Sequence, residues 1–157
     1  MRTVSEQETT EELVTLGELR RLTLASQLWE LDRDRLIQKI SQSRDATQIQ
    51  IAIAARVSQP RVSQITHTRI PVVLDGFSGA SPYEIAERYA ADLLTKATLV
   101  DELVRWPYED ERPVEDVADV WSPGAGTFND VERALFDRLI TPEIYDAVVD
   151  QLDAERS

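Results

Sequence analysis

The string TQIQIAIAARVSQPRVSQI at residues 47–65 admits few backbone paths, because it carries two helix starts in quick succession. Thr47 and Gln50 have the Thr-x-x-Gln spacing of a capping box, in which each side chain accepts a backbone N–H that the first turn leaves unpaired. That predicts a helix from Gln48. Ser58 supplies a second N-cap. Val57 and Val62 around it stand at the spacing of a hydrophobic staple, and Pro60 falls in the first turn, where its missing N–H costs nothing. The alternation Gln48-Ile49-Gln50-Ile51-Ala52-Ile53 alone would read as a strand. The caps on both sides of it decide for a short helix. Two short helices thus meet across a turn around Val57. Ile51, Ala55, Val57, Val62 and Ile65 are expected to close the wedge between them, with Ala52 small where the backbones approach.

Charge distribution gives this segment a direction. The chain of 157 residues has a formal net charge of -12, which at first sight argues against a polyanionic partner. Residues 35–74, however, hold six basic side chains (Arg35, Lys39, Arg44, Arg56, Arg61, Arg69) against one acid, Asp45. Residues 1–34 hold four basic and eight acidic side chains, and residues 75–157 hold seven basic and twenty acidic. Duplex DNA needs one basic face rather than a basic protein.

The two-helix string resembles the helix-turn-helix of phage-repressor-like (XRE-like) regulators. The shared pattern is a Gln, an Ala four residues on, a turn residue, then Val-Ser-Gln and a later Val-Ser. The likeness spans about residues 35–70 when the preceding helix is included. Where the family usually has glycine in the turn, this chain has Arg56, and a left-handed backbone there costs a non-glycine residue roughly 1 kcal/mol. The resemblance implies that the second helix lies in the major groove with its first turn at the base edges. Val62 and Ile65 face inward in that arrangement, leaving Gln59, Pro60, Arg61, Ser63 and Gln64 outward. Gln59, Arg61 and Gln64 are the expected base readers, since Gln can pair with adenine N6 and N7 and Arg with guanine O6 and N7. Gln48 and Ser58, which open the two helices, suit phosphate. Ser63, His67, Thr68 and Arg69 complete the expected DNA contacts along the backbone.

The rest of the chain reads as helix, so the expected fold is all-α. A helix-turn-helix domain over 1–74 is followed by a small acidic helical domain over 75–157. Leu13, Leu16, Leu19, Leu22, Ala25, Leu28 and Leu31 recur at every third position. A period of three drifts around a 3.6-residue helix, so one surface helix cannot bury them all. Such a segment is either covered on several sides, as in a dimer, or broken at Gly17; a short helix over about Asp34–Ser43 follows. Residues 71–80 read as a connection. Ser81-Pro82-Tyr83-Glu84 then opens a helix to about Leu94, Thr95 or Thr98 caps one ending at Arg105, Thr127-Phe128-Asn129-Asp130 caps a third, and Thr141-Pro142 a fourth.

Enzymatic chemistry finds no foothold, and no cofactor or metal is expected. With no cysteine, disulfides, thiolate zinc sites and cysteine nucleophiles are excluded. The single histidine, His67, ends the proposed reading helix, and one His without Cys makes a poor metal site. The carboxylates between Glu109 and Asp119 lack the spacing and central Gly of a calcium loop. Gly124-Ala125-Gly126 lacks the Lys-Ser/Thr of a phosphate loop. No apolar run approaches the length of a membrane span, and the N-terminus lacks a signal-peptide core, so a cytoplasmic home without membrane contact is expected.

The acidic half carries aromatics at 106, 108 and 121 on loops, where recognition residues often sit. Through Tyr83–Tyr89, Leu103–Tyr108 and Gly126–Tyr145 it resembles C-terminal segments of actinobacterial helix-turn-helix proteins found beside toxin genes. The resemblance implies a homodimeric repressor that doubles as an antitoxin, masking a basic toxin with its acidic half. The alternative is a free-standing phage or prophage immunity-type repressor whose acidic half serves dimerisation or DNA binding.

Overall fold

The computed structural model describes residues 4–109 and 126–157, and all regular structure in them is helical. The elements are α1 (Val4–Ser43), α2 (Gln48–Ala55), α3 (Gln59–His67), α4 (Pro82–Ala90), α5 (Lys96–Arg105), α6 (Asn129–Phe136) and α7 (Pro142–Arg156). Among the described residues no helix is long and apolar enough to cross a membrane. Trp121-Ser122-Pro123, Gly124-Ala125 and most of the acidic run between Glu109 and Asp119 lie outside the described residues.

Caps set most of the boundaries. Thr47, Ser58, Ser81, Thr95 and Thr141 each have extended backbone, and each accepts the N–H three residues on, so the helices begin where the hydroxyls stand. The third cap differs from expectation. Phe128 occupies that position without a side-chain bond, and the Thr127 carbonyl, not its hydroxyl, accepts the Asp130 N–H at 3.0 Å. Three helix ends, those of α2, α4 and α6, share one device. Arg56, Asp92 and Arg138 all have left-handed backbone, with φ between 56° and 58°. The residue after each closes a six-residue ring: Val57 N–H to Ala52 O, Leu93 N–H to Arg88 O, and Leu139 N–H to Ala134 O, at 2.8–3.1 Å. This is the Schellman ending, usually built on glycine. It stops α4 at Ala90, short of the expected Leu94.

Of the two alternatives for the leucine-rich segment, α1 excludes the break at Gly17. It runs for 40 residues without interruption through Gly17 and absorbs the separate helix expected over 34–43. One exposed glycine costs a helix only about 1 kcal/mol, too little to stop it in the absence of proline. The period-three residues meet different fates along it. Leu28 is buried and Leu31 partly so, whereas Leu16, Leu19 and Leu22 are more than half exposed.

The residues form two compact units. One is Ser26–Val72; the other joins the stretch up to Ala25 with the chain from Val73 on. The first half of α1 groups with the later residues. The contacts explain why: Arg20 donates to the carbonyls of Asp137 and Arg138, Arg21 pairs with Asp92 at 3.7 Å, and Leu24 packs against that unit's core.

In the Ser26–Val72 unit, Ile37 of α1 joins Ile51 and Ala52 of α2 and Val62 and Ile65 of α3 in one buried cluster, flanked by Ile40, Ala55 and Val57. In the other unit, Ile85, Leu99, Leu103, Val131, Ile144 and Val148 are almost wholly buried where α4 packs on α5 and α6, and α7 on α5 and α6. Residues 76–80 belong to that fold rather than to a free connection. Ser78 donates from its N–H and its hydroxyl to the two oxygens of buried Glu102, at 2.9 and 2.7 Å. Ala80 N–H donates to buried Glu84 at 2.9 Å, and Arg105 lies over the Phe77 ring while donating to Gly76 O. Trp106 and Tyr108, for which core is the default expectation and loop recognition the alternative, serve packing. Trp106 is 3% exposed and packs edge-to-face with Phe77, and Tyr108 packs edge-to-face with Phe128 while donating its hydroxyl to Leu103 O.

Candidate nucleic-acid interface

The Ser26–Val72 unit presents α3 with its apolar side down. Val62 and Ile65 are buried, while Gln59, Pro60, Arg61 and Gln64 are exposed and Ser63 is half-buried. Reciprocal bonds build the turn that holds it. Thr47 Oγ1 accepts from Gln50 N at 3.2 Å, and Gln50 Oε1 accepts from Thr47 N at 2.9 Å. Arg56 then turns the chain with φ 56° and ψ 42°, and Ser58 Oγ accepts from Arg61 N at 3.2 Å. The hydroxyl of Ser58 is thereby used as an acceptor, and its own hydrogen is left to donate outward.

The expected base readers are not independent. Arg61 Nη1 donates to Gln64 Oε1 at 2.8 Å, and Arg61 Nη2 lies 3.8 Å from Asp34 Oδ2. The Gln64 oxygen keeps a second lone pair beside its NH2 group, so a two-point contact of Gln64 with a base edge would share that oxygen with Arg61. Gln59 stands apart in the first turn.

The remaining expected contacts have distinct geometries. Gln48 is the first residue of α2 and exposed. His67 is exposed, with Nδ1 2.7 Å from Ser63 O, an oxygen that can only accept, so Nδ1 carries the hydrogen. Thr68 donates its hydroxyl to Gln64 O at 2.8 Å, closing the end of α3, and Arg69 is exposed. Of the other basic residues, Lys39, Arg44 and Arg56 are exposed. Arg35 is turned inward: its Nε donates to Pro71 O at 3.0 Å and its Nη1 pairs with Asp32 at 3.6 Å.

Two residues of α1 that the motif did not indicate shape this surface. Gln38 Nε2 donates to Ile65 O at 2.8 Å and Thr68 O at 2.6 Å, tying the last turn of α3 to α1. Asp34 faces Arg61. Both act across the tertiary fold, and no local spacing in the sequence marks them. Among the described residues no group of three His, Cys, Asp or Glu is placed to hold a metal ion. Comparison with protein families, curated proteins and solved structures yields no match, so the reading of this surface rests on its own geometry.

Proposed function

We propose that this chain is a sequence-specific DNA-binding regulator that reads the major groove with α3. The observation that carries the reading is a doubly capped pair of short helices with Gln59, Arg61 and Gln64 exposed together on the second, in the only stretch of the chain with a marked basic excess. Such side chains match base edges, and the exposed Lys39, Arg44, Arg56 and Arg69 match phosphates. Occupancy of an operator by a rigid unit of this kind blocks transcription, so repression is the expected outcome. The chain acts as a homodimer on a two-fold site, as short reading helices gain affinity by pairing half-sites one helical turn apart. Exposed Leu16, Leu19 and Leu22 on α1 supply apolar surface for pairing.

Selection of bound duplexes from a random pool tests the proposal. Arg61→Ala and Gln64→Ala are each expected to weaken the selected site by roughly 1–3 kcal/mol. A folded protein that selects no site overturns it.

A second reading concerns the acidic residues from 75 on. Twenty acidic side chains against seven basic ones suit a basic protein partner, which makes the chain an antitoxin that represses its own operon. Phe136, 86% exposed at the end of α6, gives such a partner an apolar anchor. Co-purification of a stoichiometric small basic protein supports this reading; a lone dimer favours a free-standing repressor.

A further inference from the structure

We infer that Asp34, on α1, sets the sequence specificity of the α3 surface by positioning Arg61; this rests on the DNA-reading role proposed above. The Asp34 carboxylate stands between two guanidinium groups. Its Oδ1 accepts from Arg33 Nε at 3.1 Å and Nη2 at 2.9 Å, and its Oδ2 faces Arg61 Nη2 at 3.8 Å. The Asp34 side chain is 17% exposed, against 46% for Arg61, so the acid is the fixed partner and the arginine the moving one.

The donor count shows what this does. A guanidinium has five N–H groups. Gln64 takes one through Nη1, and Asp34 attracts another through Nη2. Three are left, and guanine O6 and N7 need two of them in one plane. An unsupported exposed arginine loses much rotamer freedom when it docks. One already confined between Gln64 and Asp34 loses less, and only at bases that accept from that confined direction. A separation of 3.8 Å is an attraction rather than a tight hydrogen bond, so Arg61 can advance toward a base without leaving the field of Asp34. Asp34 also opposes phosphate approach, which lowers affinity for any sequence. The first effect raises the ratio of cognate to random binding, and the second lowers both affinities alike.

The test compares full-length wild type with Asp34→Asn, each with and without Arg61→Ala, on the selected duplex and a scrambled one at two salt concentrations. Asp34→Asn is expected to bind scrambled duplex more tightly at low salt. Its ratio of cognate to scrambled affinity should fall by roughly two- to tenfold, the lower range for coupled neighbours. In the Arg61→Ala background the fall in ratio should vanish. A purely electrostatic role moves both duplexes together and leaves the ratio unchanged, which overturns the inference; so does an equal fall with Arg61 absent. Should Asp34→Asn fail to fold, Asp34→Glu keeps the charge and displaces it by one methylene, and an unchanged ratio there overturns the inference equally. Wild type without any sequence preference refutes the DNA reading itself; wild type with a preference that depends on Arg61 but not on Asp34 refutes this inference alone.

Discussion

Replacing Arg56 separates two opposed effects at the turn between α2 and α3. Its backbone is left-handed, at φ 56° and ψ 42°, and its N–H and that of Val57 bond to Ile53 O and Ala52 O at 3.3 and 3.1 Å. A Cβ in that conformation costs about 1–2 kcal/mol. Glycine removes that strain but enters folding with a freer unfolded chain, which returns about 0.5–1 kcal/mol. Arg56→Gly should therefore be more stable than Arg56→Ala by about 0.5–1 kcal/mol, since both lose the charge and only one keeps the Cβ. The charge has its own contribution. A cation at a helix C-terminus is worth roughly 0.3–1 kcal/mol, so Arg56→Ala should fall below wild type by about that much, and more so at low salt. Urea unfolding followed by circular dichroism at two salt concentrations measures all three proteins. Equal stability of the Gly and Ala variants, or an advantage for Ala, refutes the claim that backbone strain is stored here. The same pair of substitutions at Arg138 repeats the test on an identical ring of bonds.

Three other outcomes follow from the fold. Gly17 lies within α1 with nothing inside 4 Å of where a Cβ would stand, so Gly17→Ala should raise stability by about 0.5–1 kcal/mol in the same urea assay. Glu84→Ala leaves buried Arg88 without the carboxylate 2.9 Å away and Ala80 N–H without its acceptor, and should cost about 3–5 kcal/mol. Burial holds the Glu87 and Asp130 carboxyls above their ordinary range, with the nearby Glu84 charge adding to the effect on Glu87. A raised folded-state pKa means stability that is full below the unfolded value and declines as pH rises through the folded one. Glu87→Gln and Asp130→Asn should therefore unfold at higher urea than wild type at pH 7, with the gain shrinking as pH falls through the raised folded pKa and gone below the ordinary carboxyl value; a gain that grows toward low pH contradicts the assignment.

Much of the α2–α3 pair was legible because its determinants are local. A hydroxyl caps a helix within three residues, so Thr47, Ser58, Ser81, Thr95 and Thr141 announce their helices before any tertiary contact exists. The inward set Ile51, Val62 and Ile65 follows from spacing alone, whereas the left-handed turn at Arg56 is implied by the resemblance to a helix-turn-helix. What failed was decided at a distance. Gly17 weakens a helix locally, and only the continuity of the residues on either side carries α1 through it. Trp106 lies beside a proline in the sequence, yet Phe77, far from it along the chain, covers its ring. Asp34 and Gln38 reach α3 and its end from positions 27–30 residues earlier in the chain, and no motif records that.

The partnership of α1 with the last third of the chain bears on the order in which the protein can be finished on the ribosome. Arg20 finds its acceptors at Asp137 and Arg138, 117–118 residues later. At ~5–20 residues per second the start of α1 waits roughly 6–24 s for them, whereas every residue of the Ser26–Val72 unit is already present much earlier. That unit can thus mature while the N-terminal turns of α1 still lack their partners. During that interval Leu24 lacks the core it packs against in the finished fold and adds to the apolar surface of Leu16, Leu19 and Leu22. Synthesis speed, and not only sequence, then governs how long the Leu24 side chain is available to chaperones or to a neighbouring nascent copy.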